Sequence, residues 1–352
     1  MIKILKSDEK IWKIYTRSEE YNPPFLDRFD RFNYCASNDE NVLEPNVSKF
    51  LVENGLKIKY PKGKKFAVCL THDIDKAFLY WKTRCYSCLQ QLTKFKLKSS
   101  MKELLRKNPY MNFKEIIDIE KTYGAKSSFY IMTTNKDIFS DPLYNAKNLE
   151  EKLKFIIENG WEIGLHGGYY SYNNYDSIKK EKEKLEKIIE KEVMGYRSHF
   201  LRFKIPDTWK LLSEIGFKYD TTLGYADIVG FRNGMCHPFK PFNLNENKEI
   251  DILEIPLVIM DNALFTHMNL NFDESWQICK KLIDTVINVK GVITVLWHNT
   301  SFDEVENNEM KKLYEKILKY SYEKNGWLTS AEEIFQWWIE NKNLMYKKIG
   351  FE

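Results

Sequence analysis

The chain has 352 residues, with 54 Lys and Arg against 50 Asp and Glu and a net charge of +4. That balance is too even for the basic field a general nucleic-acid binder needs. With 43% apolar and 30% charged residues the chain is no disordered polymer, and no apolar run reaches the roughly 18 residues of a membrane span.

The N-terminal stretch MIKILKSDEKIWKIY mixes charged with apolar residues and lacks the apolar centre of a signal peptide, so a cytoplasmic location is expected. Residues 1–62, punctuated by Asn22-Pro23-Pro24 and Glu44-Pro45-Asn46, read as an N-terminal extension packed on a domain spanning 63–345. In that domain short β-branched and aromatic runs alternate with longer amphipathic segments, the pattern of β-α units winding a parallel barrel. The expected strands are Phe66–Thr71, Ser127–Met132, Trp161–His166, Met194–Ser198, Tyr219–Leu223, Ile252–Ile259 and Val292–His298. Helical patterns lie at 112–123, 147–159, 176–191, 206–216, 273–289 and 309–325. The 176–191 pattern is charged on most faces, as a solvated surface helix would be. Gly124, Gly160 and Gly216 stand where helices should end in a left-handed residue.

The segment 81–107 holds eight basic residues against the single acid Glu103, leaving the rest of the chain net acidic. Trp81, Leu89, Leu92, Leu104 and Leu105 suit a helical hairpin with a buried stripe; its charge reads first as a solvated surface and second as a contact for an anionic carrier or the face of a membrane. Six cysteines are scattered through the sequence, as reduced thiols would be. The Cys85/Cys88 pair has no second pair at zinc-finger spacing.

Five of the six histidines, His72, His166, His199, His237 and His298, fall at or after expected strand ends. In an α/β barrel these ends converge on one mouth. Thr71-His72-Asp73-Ile74-Asp75 places two carboxylates so close that a shared proton or a cation must compensate their repulsion; capping of a following helix is the plainer alternative. His166 precedes Gly167 and Gly168, which let a backbone approach a ligand, and neutral imidazole is a common metal donor. Arg197 in a barrel mouth calls for a carboxylate or an anionic group. His298, closing the apolar run from Val292, is placed to act as a general acid.

Thr-His-Asp-Ile-Asp at 71–75, His-Gly-Gly-Tyr-Tyr at 166–170, Arg-Ser-His-Phe-Leu-Arg-Phe at 197–203 and Leu-Trp-His-Asn at 296–299 resemble the polysaccharide deacetylases of carbohydrate esterase family 4, with the NodB-homology fold. The segments 219–224 and 230–239 resemble a cytoplasmic-type branch, and the likeness covers roughly 66–340. It implies a distorted (β/α) barrel of about seven parallel strands. It further implies a metal-dependent carbohydrate deacetylase that removes N-acetyl groups from an amino sugar of a surface glycan or its precursor. Its roles carry over as Asp73 for the base, Asp75 and His166 for metal ligands, Arg197 for orienting Asp73, and His298 for the acid, held by Asp227 or Asp261. The expected metal is divalent, zinc foremost. The family's second ligand histidine comes four residues after the first, where this chain has Tyr170; His199 is the first expectation to replace it, with a water or His72 behind. Tyr169, Tyr170, Arg202, Arg232, His237 and Trp297 are the expected substrate contacts. Two rival readings are a non-catalytic glycan-binding protein on this fold and an amidohydrolase of a small non-sugar amide.

Overall fold

The computed structural model describes residues 1–38, 41–79, 107–134, 142 and 144–345. The basic segment 81–106 and the Cys85/Cys88 pair lie outside the described residues.

From Ala67 onward the apolar runs become parallel strands: β1 (Ala67–Ile74), β2 (Ser128–Ile131), β3 (Glu162–Gly167), β4 (Gly195–Ser198), β5 (Tyr219–Asp220), β8 (Leu253–Glu254), β9 (Leu257–Met260) and β10 (Val292–Leu296). They hydrogen-bond in the order β8-β5-β4-β3-β2-β1-β10-β9. The two ends of this path, β8 and β9, are joined through Ile255-Pro256. The Ile255 N–H donates to the Asp220 carbonyl at 2.9 Å and the Leu257 N–H to the Leu223 carbonyl at 3.0 Å, drawing the sheet round on itself. The result is a distorted (β/α) barrel. Every residue of β1 is buried, as expected of strands covered on both faces.

Two expected strands are shorter than their apolar runs. The run 252–259 breaks at Pro256, which has no N–H to give a ladder. The run 219–223 stops after Asp220, whose carboxylate accepts from the Thr222 hydroxyl at 2.6 Å and from the Thr222 N–H at 3.2 Å and turns the chain. One strand the sequence did not announce, β11 (Trp327–Thr329), pairs with Ala67–Cys69 of β1. Lys248–Glu249 (β7) forms a small hairpin with Phe242–Asn243 (β6).

The helices follow the predicted periodicity: α4 (Phe113–Lys121), α5 (Glu150–Glu158), α6 (Tyr175–Ile189), α7 (Asp207–Ile215), α8 (Phe272–Val289) and α9 (Asn308–Glu323), with α10 (Ala331–Met345) added after β11. Asn271 caps α8 reciprocally with Glu274. Gly124, Gly160 and Gly216 have φ of 61°, 87° and 100°, the left-handed endings their positions called for.

The first 62 residues are more regular than their punctuation suggests. They contain α1 (Ile2–Leu5), α2 (Glu9–Thr16) and α3 (Asn46–Glu53), with the Asp8 carboxylate capping α2 at the Ile11 N–H. Leu5, Tyr15, Val47 and Leu51 are buried in the same apolar cluster as β1 and β10.

Candidate active site

Register brings the chemistry together. Thr71 of β1 lies opposite Leu296 of β10, so Asp73 and His298, each two residues further on, arrive at the same level. His166 of β3 lies opposite Arg197 of β4, and His199 follows β4 directly. Alternation along β1 puts Asp73 on the face of Thr71 and sends His72 to the other.

At the mouth, His166 Nε2 is 3.3 Å from Asp75 Oδ1 and 3.6 Å from Asp73 Oδ2. His199 Nε2 is 3.8 Å from Asp75 Oδ1, and His298 Nε2 is 3.7 Å from Asp75 Oδ2. Asp75, His166 and His199 present donor atoms that all lie within 4.8 Å of one another. Donors held at about 2.1 Å around a tetrahedral or octahedral cation stand roughly 3.0–3.5 Å apart, close to the 3.3 Å and 3.8 Å that separate Asp75 Oδ1 from His166 and His199. The set is two nitrogens and one carboxylate oxygen, a donor mix that suits zinc. His166 Nδ1 meets the Arg197 carbonyl at 3.0 Å, which makes it the protonated nitrogen and turns the Nε2 lone pair toward Asp75. Asp73 Oδ1 is buried without a hydrogen-bond partner, an arrangement that calls for a water, proton or cation. These residues therefore fit a divalent cation. His199 is the side chain that lies with Asp75 and His166, while Tyr170 is 56% exposed.

His298 is fixed from behind. Its Nδ1 is 2.7 Å from Asp261 Oδ1, its N–H donates to Asp261 Oδ2 at 2.7 Å, and the Ser301 hydroxyl donates to the same oxygen at 2.5 Å. Of the two carboxylates expected to hold His298, Asp261 does so; Asp227 instead accepts from the Tyr34 N–H at 3.2 Å. Burial by itself would lower the His298 pKa, but the charge of Asp261, its hydrogen bond and the charges of Asp75 and Asp73 push it up to about 10. The same balance divides the other groups. Burial, with the charges of His166 and His298, pushes His199 down to about 3 against the pull of Asp75. Burial would raise Asp75, yet the His166 hydrogen bond and the surrounding histidines hold it well below the usual carboxylate range. His166 goes up, as the Asp73 and Asp75 carboxylates outweigh its burial.

The centre opens into a cavity of about 330 Å³ lined by Asp73, Asp75, His166, His199 and His298 and walled by Phe29, Phe200, Met260 and Asn262. Phe200 stands in the left-handed region at φ 61°, uncommon for a bulky side chain. There its carbonyl accepts from Arg31 Nη1 at 3.3 Å and its ring stacks at an angle against Phe29, centroids 5.0 Å apart.

Several expected site residues work elsewhere. Arg197 does not reach Asp73: buried inside the barrel, it donates to Thr221 at 2.7 Å and to Thr71 at 3.0 Å, gripping β1 two residues short of the carboxylate. Arg202 is a clamp, donating to the carbonyls of Tyr169 and Phe29 and pairing with Asp30 at 2.6 Å; this stakes the N-terminal segment to the barrel mouth. Arg232 pairs with Glu20 and donates to the Gly224 carbonyl at 2.8 Å. His237 is buried between Ser48 and the carbonyls of Val289 and Lys290. Trp297 is fully buried against Tyr314, and neither Tyr169 nor Tyr170 lines the cavity. His72 is bonded to the Trp297 carbonyl at 2.7 Å and to Glu120 at 2.9 Å, outside any donor set. The Gly167-Gly168 pair is explained by packing, since a Cβ at 167 would strike the Tyr196 ring and one at 168 the Thr134 side chain. Arg28, Phe29, Arg31 and His267 are among the lining residues that no motif announced. Three sit in the extension, where no local pattern marks them, and His267 is the one histidine that follows no expected strand.

No protein-family model matches the sequence, and no curated protein matches it by sequence. Solved structures do match in shape. One described as a polysaccharide deacetylase from Mycobacterium smegmatis superposes with a TM-score of 0.56 at 17% identity, covering 81% of this chain and 94% of that one. Another described in the same terms, from Pseudomonas aeruginosa, gives 0.54 at 12% identity, covering 80% and 93%. The fold is that of the polysaccharide deacetylases. The Puue allantoinase shares this deacetylase-like fold, with a TM-score of 0.55 at 13% identity over 87% of this chain and 96% of that one.

Proposed function

We propose that the protein is a divalent-metal-dependent deacetylase, acting in the cytoplasm, that removes N-acetyl groups from an amino sugar of a surface glycan or its precursor. The observation that carries this reading is the meeting of Asp75, His166 and His199 as a donor set with Asp73 and the Asp261-held His298 at one cavity. No helix among the described residues is long and apolar enough to cross a membrane.

A cation such as zinc held by Asp75, His166 and His199 would polarise the amide carbonyl and offset the charge of the oxyanion. The chain's own residues account for the proton steps. Asp73, with one oxygen unengaged, accepts the proton of the attacking water. His298, protonated between Asp261 and Asp75, returns a proton to the nitrogen as the C–N bond breaks, releasing acetate and a free amine. Asp261 accepts from the Nδ1–H, so the proton that His298 transfers is the one on Nε2, on the side of Asp75 and the cavity.

Acetate release from N-acetylhexosamine oligomers, measured beside the metal content, tests the reading. Asp73→Asn should lower the rate by about 10²-fold or more while sparing the fold; an unchanged rate would overturn the assignment. The shared fold with an allantoinase supports a second reading, hydrolysis of a small non-sugar amide. Turnover of simple N-acyl amides in preference to the sugars would select it.

A further inference from the structure

The wall of the cavity carries positive charge that hydrolysis does not use. Arg28, from the N-terminal segment, and Lys76, next after Asp75, both line it. The other basic side chains at this end are engaged: Arg31 with Asp27 at 2.8 Å and Arg202 with Asp30 at 2.6 Å. Of the carboxylates here, Asp227 accepts from the Tyr34 N–H and Asp261 holds His298, while Asp73 and Asp75 face the histidines of the centre. Among the described residues neither the Arg28 guanidinium nor the Lys76 ammonium has an ion-pair or hydrogen-bond partner, and Arg28 merely lies over the Phe29 ring at 4.6 Å. Lys76 is anchored at the mouth by its main chain, whose carbonyl accepts from Asn299 Nδ2 at 2.7 Å. Phe29 and Phe200 add apolar surface to the same wall.

We propose that Arg28 and Lys76 form a subsite for an oxyanion, a phosphate or a carboxylate, carried by the substrate itself. This rests on the hydrolytic reading of the cavity and narrows its substrate to anionic N-acetylated sugars. A guanidinium and an ammonium with no internal partner are suited to charge-assisted hydrogen bonds with such a group, and the attraction should weaken as salt rises.

Calorimetry in the Asp73→Asn background reads binding without turnover. The probes are N-acetylglucosamine, its 1-phosphate and 6-phosphate, and N-acetylglucosaminuronic acid. At least one charged sugar should bind about tenfold or more tighter than the neutral one, and the Arg28→Ala/Lys76→Ala variant should lose that preference. Preference for the phosphates or for the uronate names the oxyanion. Equal affinity for neutral and charged sugars, or a preference unchanged in the double variant, overturns the subsite. Acetate release by the native protein keeps the two proposals apart. Release from neutral sugars without charge preference leaves hydrolysis standing and removes the subsite; a charge preference without acetate release from any sugar does the reverse.

Discussion

Four residues after His166 the chain carries an exposed tyrosine, and the histidine that lies with Asp75 and His166 is His199, directly after β4. A histidine installed at 170 would face solvent, so Tyr170→His should leave metal affinity unchanged. His199→Ala should weaken it by more than the roughly 10–100-fold that loss of an outer partner costs; metal titration of the two variants checks both. Asp261→Asn keeps the shape behind His298 but removes the charge that sustains its proton. The expected result is a loss of about 10²-fold in kcat with little change in KM, measured by acetate release. Away from the cavity, His237 is buried as the neutral imidazole, its pKa pushed by burial down to about 4. In the unfolded chain it titrates near 6.5, so below that pH the unfolded state binds a proton that the folded state refuses. Stability should therefore fall by about 2 kcal/mol between pH 7 and pH 5 on account of this group. Urea unfolding of the wild type and His237→Gln at the two pH values should show a smaller loss in the variant.

Between elements, one tie is Glu20, just after α2, buried between Arg17 and Arg232. Burial would raise the Glu20 pKa, but the two guanidinium groups outweigh it and hold the carboxyl below its usual value. Removing a charge from such a buried set leaves the others uncompensated. Glu20→Gln should lower unfolding free energy by about 3–5 kcal/mol, read from denaturant melts. The sequence announces neither this tie nor the cavity wall that the same extension supplies, because both are contacts between segments some two hundred residues apart and neither has a local period. What it does announce is periodic or positional. The strand runs ending at Asp73, His166, Arg197 and His298 are legible because buried parallel strands are apolar throughout, which makes the polar residue at each end conspicuous. The same logic misplaces His237: it stands beside apolar residues and is a structural histidine buried among carbonyls. Trp297 is misread for a related reason, since adjacency to His298 in sequence puts it on the opposite face of the chain.

At the scale of the whole molecule the question is whether residues 1–62 are an appendage or part of the barrel. The Phe231 N–H donates to the Val42 carbonyl at 2.7 Å, the Val47 N–H to the Gly234 carbonyl at 3.0 Å, and the Tyr15 hydroxyl to the Lys240 carbonyl at 2.6 Å. Tyr15 also packs its ring against Phe239, centroids 5.3 Å apart. The stretch 231–240, which leads by way of the Phe239–Glu254 bridge to β8, thus finds partners for its main chain in the extension. Without them those polar groups would lie exposed beside an uncovered apolar surface, each lost bond costing on the order of 1 kcal/mol or more. A chain starting at residue 63 should therefore fail to reach a cooperative native state, shown by loss of the near-ultraviolet circular dichroism signal. The full chain should unfold in a single transition that coincides by fluorescence and far-ultraviolet circular dichroism. Two separated transitions, the first leaving the barrel intact, would make the extension a domain of its own. In that case the wall formed by Arg28, Phe29 and Arg31 could come away from the cavity without unfolding it.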